Sequence, residues 1–351
     1  MKAFFFYIFT GVLLLFSIEG NGQIIQKDSL ENKIEALQNY LLFRNHDSTY
    51  IQSFANHFAL KLVAINKFNY FSVRDANKGT SLRYRPEYGV NLGIGVSYKW
   101  FALDLTFNFG LRENKDFENS EYFDFQGRVF SSKQFFEGSL QYYYGHILGN
   151  ISGIDEEIND VPEIREDIRT ISFGLQYLYA FKYDKFSLKA PFVLNEIQLK
   201  SAGSPIFGAS FAYFSMDSDS SIVPLNLMQY FDPKLHLTDF NVISLAVNLG
   251  YMYTFVWKKH FFITLGFIPG LNFNLGDGKA AQRESFSWNV SYRIKTMNAL
   301  GYNGEKFFSG FQFVGDWNNI RIDKELHTMF TNGSLKFFVG YRFRNRKKKV
   351  N

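Results

Sequence analysis

The sequence has no cysteine among its 351 residues. That absence excludes a disulfide framework, a thiolate metal site and a cysteine nucleophile. It also excludes a lipoprotein anchor, because lipid attachment needs a cysteine at the cleavage site.

Signatures of cofactor binding are missing as well. The sequence has no phosphate-cradling loop, dinucleotide-binding fingerprint or zinc-ligand spacing. Asp217-Ser218-Asp219 resembles the start of a calcium loop, but the later glycine and glutamate are absent. We therefore expect no cofactor and no bound metal.

Excess charge is small and concentrated at the C-terminus. The formal net charge is +5, and much of it lies in Arg344, Arg346, Lys347, Lys348 and Lys349. These basic residues are not interleaved with a folded aromatic platform, as nucleic-acid binding would require. The tail is therefore predicted to be solvated or to contact lipid headgroups, and no nucleic-acid partner is expected.

Aromatic residues, by contrast, are abundant: 42 Phe, 21 Tyr and 4 Trp make up 19% of the chain. Soluble domains seldom carry so many. Membrane β-barrels do, because Phe packs against acyl chains while Tyr and Trp lie at the interface with the polar tip in water. The composition thus favours a barrel in lipid.

The N-terminus predicts a signal peptide over residues 1–22. Residues 3–18 are almost unbroken apolar sequence after one lysine, and Gly20 and Gly22 suit cleavage before Gln23. The alternative is a transmembrane anchor, but this run is short of the roughly 20 residues that a spanning helix needs. We therefore expect an exported protein.

A period-two alternation of apolar and polar residues recurs along the chain. Residues 240–257 carry no charge, yet their large apolar side chains fall on alternate positions, and only a strand puts such positions on one face. Each alternating segment has about 10 residues, enough for a tilted strand to cross a bilayer. A soluble sandwich also alternates, but here the opposite face is small and polar, and short connections alternate with long ones.

These segments predict an all-β fold, a closed antiparallel transmembrane β-barrel of about twelve strands with both ends periplasmic. Residues 199–240 are either one long outer excursion or a further pair of strands at 204–214 and 222–230, which would give fourteen. The candidate crossings are 57–74, 88–99, 101–110, 121–131, 135–145, 170–181, 186–198, 241–257, 261–274, 286–297, 304–315 and 334–344. The longer connections, expected to be outer loops, are 111–120, 147–169, 276–284 and 315–333.

Residues 23–56 are predicted to form a periplasmic segment ahead of the barrel, which would span 57–344 and end in a basic periplasmic tail, 345–351. Apolar residues at helical spacing after Ser29 predict a short helix over 29–44. The alternative is a plug, but so short a helix would not fill a twelve-stranded lumen.

The last crossing has features of an assembly signal. Gly340 and the late Phe343 in an alternating final strand resemble the signal read by the outer-membrane insertion machinery, which is an expected partner during assembly. The basic tail after Phe343 departs from the usual aromatic C-terminus.

Four short motifs are spread over most of the mature chain: Asp47-Ser48-Thr49-Tyr50-Ile51, Tyr98-Lys99-Trp100, Gln198-Leu199-Lys200-Ser201-Ala202-Gly203-Ser204 and Pro269-Gly270. Together they resemble an uncharacterised family of outer-membrane barrels common in Bacteroidota, a domain of unknown function of the DUF4421 type. The resemblance implies a barrel and export. It supplies no activity, substrate or catalytic residue.

Polar residues on the small-residue faces of the strands are the candidates to line the lumen. They are Asp104, Asp124, Arg128, Glu137, Lys189, Glu196, Asn248, Arg293, Lys295, Lys336 and Arg342. Two carboxylates could form an acid–base pair, but ion pairs that hold strands together are the simpler interpretation. Rings of charge could also filter solutes. The residues expected to face lipid include Leu105, Val247, Leu249 and Val339.

Catalysis has little support in the sequence. His146 lies at an expected outer strand end, where outer-membrane acyl hydrolases place a histidine beside a serine. No serine follows at the spacing of those enzymes, so a histidine bonded to loop backbone is the preferred interpretation. We predict no catalytic residue.

The polar, mixed-charge lumen favours a narrow pore or channel for small solutes in the cell outer membrane. The alternative is a structural or surface-interaction barrel without transport, favoured by the long outer loops. A lipid-modifying enzyme fits least. The expected partners are outer-membrane lipids and surface glycolipid. The acidic residues of 147–169 could bind divalent cations that bridge this glycolipid, but a solvated loop is the preferred interpretation.

Overall fold

Strands dominate the structure, a computed structural model that describes residues 46–54, 57–87, 89–98, 101–108, 121–154, 161, 163–280, 283–321 and 326–343. The strands are β1 (Ile51–Ser53), β2 (Phe58–Asp75), β3 (Thr80–Arg85), β4 (Val90–Tyr98), β5 (Phe101–Asn108), β6 (Glu121–Phe130), β7 (Gln134–Ser152), β8 (Ile164–Ala180), β9 (Glu196–Gln198), β10 (Ala202–Asp217), β11 (Leu237–Trp257), β12 (Phe261–Ala280), β13 (Arg283–Asn303), β14 (Phe307–Arg321) and β15 (Leu326–Phe343). The described residues also form one short helix, α1 (Lys189–Phe192), and two 3-10 turns, Leu225–Tyr230 and Pro233–Leu235. None of these helices is long and apolar enough to cross a membrane.

Ten of the strands close into an antiparallel barrel. The order around the ring is β15, β14, β13, β12, β11, β10, β8, β7, β3 and β2, and β2 pairs with β15 to complete it. In the last pairing Phe58 lies opposite Phe343. We call the end of the barrel that carries these two residues the proximal end, and the opposite end the distal end.

Three further strands form part of the wall at the proximal end. β4 pairs with the first half of β2, β5 pairs with β4, and β6 pairs with the first half of β7. β3 occupies the distal part of the same interval, where it bridges the last residues of β2 and β7. Within the described residues, β5 has no strand partner besides β4 and β6 has none besides β7. The proximal wall therefore has a seam between β5 and β6.

The expected strand number is corrected by these pairings: the ring has ten strands, not twelve or fourteen, and three strands are additional. Segment 186–198 is not a crossing, because it forms α1 and β9 and is buried throughout. Its apolar residues meet the lumen wall instead of lipid. Of the alternative pair, 204–214 lies within β10, whereas 222–230 is largely a 3-10 turn.

The sequence pattern missed β3 because its polarity is inverted. Leu82 and Tyr84 are fully buried and face inward, while Arg83 is exposed. The connections predicted at 147–169 and 315–333 are shorter in the structure, since β7 continues to Ser152 and β14 to Arg321. A strand keeps its backbone pairing beyond the apolar band, but loses the apolar alternation by which it is recognised.

The outward face of the ring is apolar. Along β12 the outward side chains are between 44% and 56% exposed, and they are Phe261, Ile263, Leu265, Phe267, Leu271, Phe273 and Leu275. The intervening Thr264, Ile268 and Asn272 are fully buried. The strands thus separate an apolar outer surface from a packed lumen, as period-two alternation requires. The predicted signal peptide, the helix at 29–44 and the tail at 345–351 lie outside the described residues.

Candidate functional site in the barrel lumen

The proximal end of the lumen is filled by residues 186–198, which we call the proximal plug. Every residue of this segment is buried. Phe186, Leu188 and Phe192 join one apolar cluster with wall residues that include Phe135 and Met252. Burial of large side chains on all sides leaves no open passage through this cluster.

The polar groups of the proximal plug have internal partners. The Ser187 hydroxyl accepts hydrogen bonds from the N–H groups of Lys189 and Ala190 at 3.1 and 2.9 Å, and it donates to Glu196 Oε2 at 2.5 Å. The ammonium of Lys189 lies 3.5 Å from Glu196 Oε1. Lys189 and Glu196, predicted as lumen-facing strand residues, therefore belong to the plug, where they neutralise each other.

Two of the motifs behind the family resemblance meet at this plug. β1, in the first motif, pairs with β9, which ends at Gln198. The Leu199 N–H also donates to the Tyr50 carbonyl at 2.7 Å. The Thr49 N–H donates to Asp47 Oδ1 at 2.8 Å, and this hydrogen bond fixes the turn that leads into β1. Hydrogen bonds from the side chain and backbone of Thr49 also lower the pKa of Asp47. These motifs build the closure of the proximal end.

Arg342 of β15 holds the plug in place. Its guanidinium donates to the carbonyls of Leu194 and Gly304 and to Asn303 Oδ1, and its side chain is 2% exposed. The acceptor Leu194 has a positive φ of 66°, so the plug backbone is turned toward the arginine at a conformational cost. The rings of Phe54 and Phe308 flank the cation at 4.8 and 4.7 Å.

Replacing Arg342 with lysine should loosen the proximal plug. Lysine keeps the charge but not the planar fork, so some of these carbonyls lose their donor, at about 1.5–3 kcal/mol for a hydrogen bond to a charged group. Limited proteolysis of the folded barrel should then cut within the plug. Arg321→Lys, at an exposed strand end, is the matched control and should leave the cleavage pattern unchanged. An uncut Arg342→Lys barrel of normal stability would contradict this role.

The distal end of the lumen is filled by residues 218–236, which we call the distal plug. Its large buried side chains are Ile222, Val223, Leu227, Phe231 and Leu235, each at most 2% exposed. They form one apolar cluster with inward residues of the strands, including those of β3.

Side chains of the neighbouring β2–β3 hairpin anchor the distal plug. The Tyr84 hydroxyl donates to the Ile222 carbonyl, and the Thr80 hydroxyl donates to the Tyr230 carbonyl at 2.9 Å. Asp75 accepts a hydrogen bond from the Asp232 N–H at 2.9 Å. β3 thus serves as the strand against which the distal plug is fixed.

A polar layer separates the two plugs, and its charges are paired along the wall and, at one contact, across the lumen. Lys295 Nζ lies 3.4 Å from Glu137 Oε2 and 3.7 Å from Asp316 Oδ2. Arg128 binds Glu137 at 3.1 Å, and Arg293 binds Asp316 through two hydrogen bonds. Because β7 and β13 are not neighbours in the ring, the Lys295–Glu137 contact crosses the lumen, whereas the other pairs join neighbouring strands.

A second charged group lies nearer to the seam. Asp104 of β5 contacts Lys61 of β2 at 2.8 Å and Lys336 of β15 at 2.7 Å. Asp124 of β6 contacts Lys67 at 3.0 Å. The strands that border the seam are therefore tied to the ring by ion pairs.

Uncharged groups complete the layer. Gln141 Oε1 accepts hydrogen bonds from Asn69, Ser172 and Asn332 at 3.0–3.1 Å. A cavity of about 70 Å³ remains beside the charged group, lined by residues that include Glu137, Arg293, Lys295 and Asp316. Another, of about 140 Å³, lies next to Lys67 and Asp124. Both are of a size that holds a few waters.

The structure thus brings most of the predicted lumen residues into two charged groups. Arg342 instead locks a plug, and Asn248 is packed in the wall at 0% exposure. Leu105, Val247 and Leu249 are 53%, 48% and 66% exposed on the outer face. Sequence reasoning missed Lys61, which occupies an inward position of β2, and Asp316, which lies in a stretch expected to be a loop.

His146 has a structural role in these contacts. Its two ring nitrogens lie 3.1 Å from the Ile168 carbonyl and 3.3 Å from the Thr170 hydroxyl, and the side chain is buried. In the part of the chain that is described, no three metal-binding side chains cluster.

Similarity to solved structures is weak. The chain is 7% identical to the outer membrane protease OmpT from Escherichia coli, with a TM-score of 0.38 over 83% of this chain and 98% of that one. The translocator domain of the autotransporter NalP from Neisseria meningitidis is 9% identical, with a TM-score of 0.32 over 90% and 95%. The Pseudomonas putida toluene transporter TodX is 9% identical, with a TM-score of 0.25 over 84% of this chain and 91% of that one. Similarity at this level says nothing about activity.

A family model gives a firmer assignment. No curated protein matches the chain. The model of a domain of unknown function, DUF4421, matches residues 45–343, from just before β1 to the end of β15. The chain therefore belongs to the DUF4421 family.

Proposed function

We propose that this protein is an outer-membrane β-barrel with a closed lumen, which acts as a structural or surface-interaction barrel and not as an open pore. The apolar outer face supports the membrane location, because outward residues such as Leu249 and Phe273 remain 66% and 50% exposed unless lipid covers them. The tight turns at the proximal end support a periplasmic position for that end. The distal plug then faces the cell exterior.

The observation that carries the closed-lumen proposal is the pair of apolar plugs. Each plug buries large side chains against the strands, and the polar layer between them is cross-linked by ion pairs. A solute would have to displace both clusters and separate buried charges, which is costly. The proposal includes no catalytic activity.

A narrow pore for small solutes is the second candidate. It is favoured by the polar middle layer, whose two cavities of about 70 and 140 Å³ are lined by charged residues. For this function both plugs would have to leave the lumen.

Conductance in planar bilayers tests the choice. We expect the native protein to show no steady conductance. A variant with both plugs replaced by short turns should conduct, because Ala180 lies opposite Ile206 and Asp217 lies opposite Asp239, so each strand pair can be joined directly. Steady conductance of the native protein would overturn the closed-lumen proposal and favour the pore.

A further inference from the structure

The outer face carries a groove near the proximal end. It has a volume of about 570 Å³ and is lined almost entirely by apolar and aromatic side chains, among them Trp257, Ile263, Leu300, Tyr302 and Phe311. Its polar lining comes from Ser201 and Ser309. An elongated apolar groove on a lipid-facing wall fits an acyl chain.

Lysines surround the proximal mouth of this groove. Lys258 and Lys259 directly follow Trp257, and Lys306 lies in the next turn, whereas the ammonium of Lys200 lies 5.0 Å from the centre of the Tyr50 ring. All four are exposed. The turn between β13 and β14, which contains Lys306, is bonded to the turn between β11 and β12, because the Asn303 N–H donates to the His260 carbonyl at 2.8 Å.

The charge at this mouth is predominantly positive. Glu305, also exposed, is the acidic residue of the same turns. The ammonium of Lys258 lies 4.5 Å from the centre of the Trp257 ring, at the boundary between the groove and the turn. The cations are thus placed where a lipid headgroup would be if its chain lay in the groove.

The turn keeps these lysines at a conformational cost. Lys258 and Lys259 have φ values of 50° and 64°, and the His260 N–H bonds to the Trp257 carbonyl across them. Two successive positive φ values are the conformation in which Asn and Gly are preferred. Strained residues of this kind concentrate at functional positions.

We propose that the groove and its lysines form a binding site for a phospholipid with an anionic headgroup, from the leaflet at the proximal end. The acyl chain lies against Trp257 and Leu300, and the phosphate is held by Lys258 and Lys259 with help from Lys306. This site rests on the proposed membrane location and is independent of whether the lumen is closed.

Quenching of Trp257 fluorescence by brominated lipids tests the site. The variant keeps Trp257 alone, with Phe at positions 100, 288 and 317, and is reconstituted in phosphatidylcholine with a small fraction of brominated lipid. Brominated phosphatidylglycerol should quench Trp257 more strongly than brominated phosphatidylcholine at the same fraction. Lys258→Asn with Lys259→Gly should abolish that preference, since each lysine contributes about fivefold to the affinity for an anionic lipid.

These substitutions suit the turn, so the doubly substituted variant should fold. Lys182→Gln with Lys185→Gln, which removes the same charge from another exposed proximal turn, is the matched control and should keep the preference. Equal quenching by both lipids, or equal loss in both charge variants, would overturn the site while leaving the membrane barrel intact. An absence of quenching by either lipid would instead overturn the membrane location together with the site.

Discussion

Replacing Lys295 with methionine is expected to destabilise the barrel by about 3 kcal/mol, because Glu137, Asp316 and Gln176 lose the buried ammonium that contacts all three. Lys295 is 2% exposed and lies within 4 Å of both Glu137 and Asp316, at 3.4 and 3.7 Å. Each carboxylate keeps one arginine, but the Arg128–Glu137 and Arg293–Asp316 pairs lose the cation that joins them. Denaturant unfolding of the reconstituted barrel measures the change in the free energy of unfolding.

A double-mutant cycle separates the charge effect from the loss of packing. Glu137→Gln removes a partner of both Lys295 and Arg128 in the native barrel but a partner of Arg128 alone in Lys295→Met, so the two losses of stability should be less than additive. If Lys295→Met unfolded within about 0.5 kcal/mol of the native barrel, as surface substitutions do, the charged layer would not be the cross-linked network described above.

Leu249→Arg should destabilise the barrel in lipid by about 2–4 kcal/mol, the effect of a cation on the lipid face near the midplane. Leu249 is 66% exposed on the outer face of β11. Unfolding in phosphatidylcholine vesicles is the measurement. A neutral result would mean that lipid does not cover this face.

The neighbouring Asn248 supplies the control. Its side chain is fully buried, and neither of its polar atoms has a hydrogen-bond partner among the described residues. Asn248→Leu should therefore be neutral or stabilising, because it removes an unpaired buried amide. Asn248→Arg should instead be destabilising, since the amide packs tightly against Gly270 and leaves no room for a longer chain.

The barrel class follows from the sequence because an apolar outer face around a packed lumen imposes period-two alternation on the strands. Segments such as 241–257 and 261–274 lie within β11 and β12 for this reason. The alternation ends where the apolar outer face ends, so the distal parts of β7, β14 and β15 were predicted to be loops. The prediction of a crossing at 186–198 was wrong for the opposite reason. A segment buried inside a lumen can be as apolar as a strand in a membrane, so its composition does not distinguish the two.

The candidate site was only partly predictable. Period two identifies which residues point inward, and it placed Glu137, Arg293 and Lys295 among them. It does not say which strands face one another across the lumen, so the Lys295–Glu137 contact depends on the ring order. Arg342 is a further example, because its partners belong to a plug segment more than a hundred residues away in the chain.

Ring closure has a consequence for the order of assembly. It joins β2 to β15, the first and last strands of the barrel, and contacts between such distant residues make folding slow. The proximal plug, by contrast, lies between β8 and β10 and is synthesised long before β15. Since Arg342 is near the end of β15, the plug can be secured only after the final strand has reached its place, so a chain interrupted before that strand would be left with an unfastened plug.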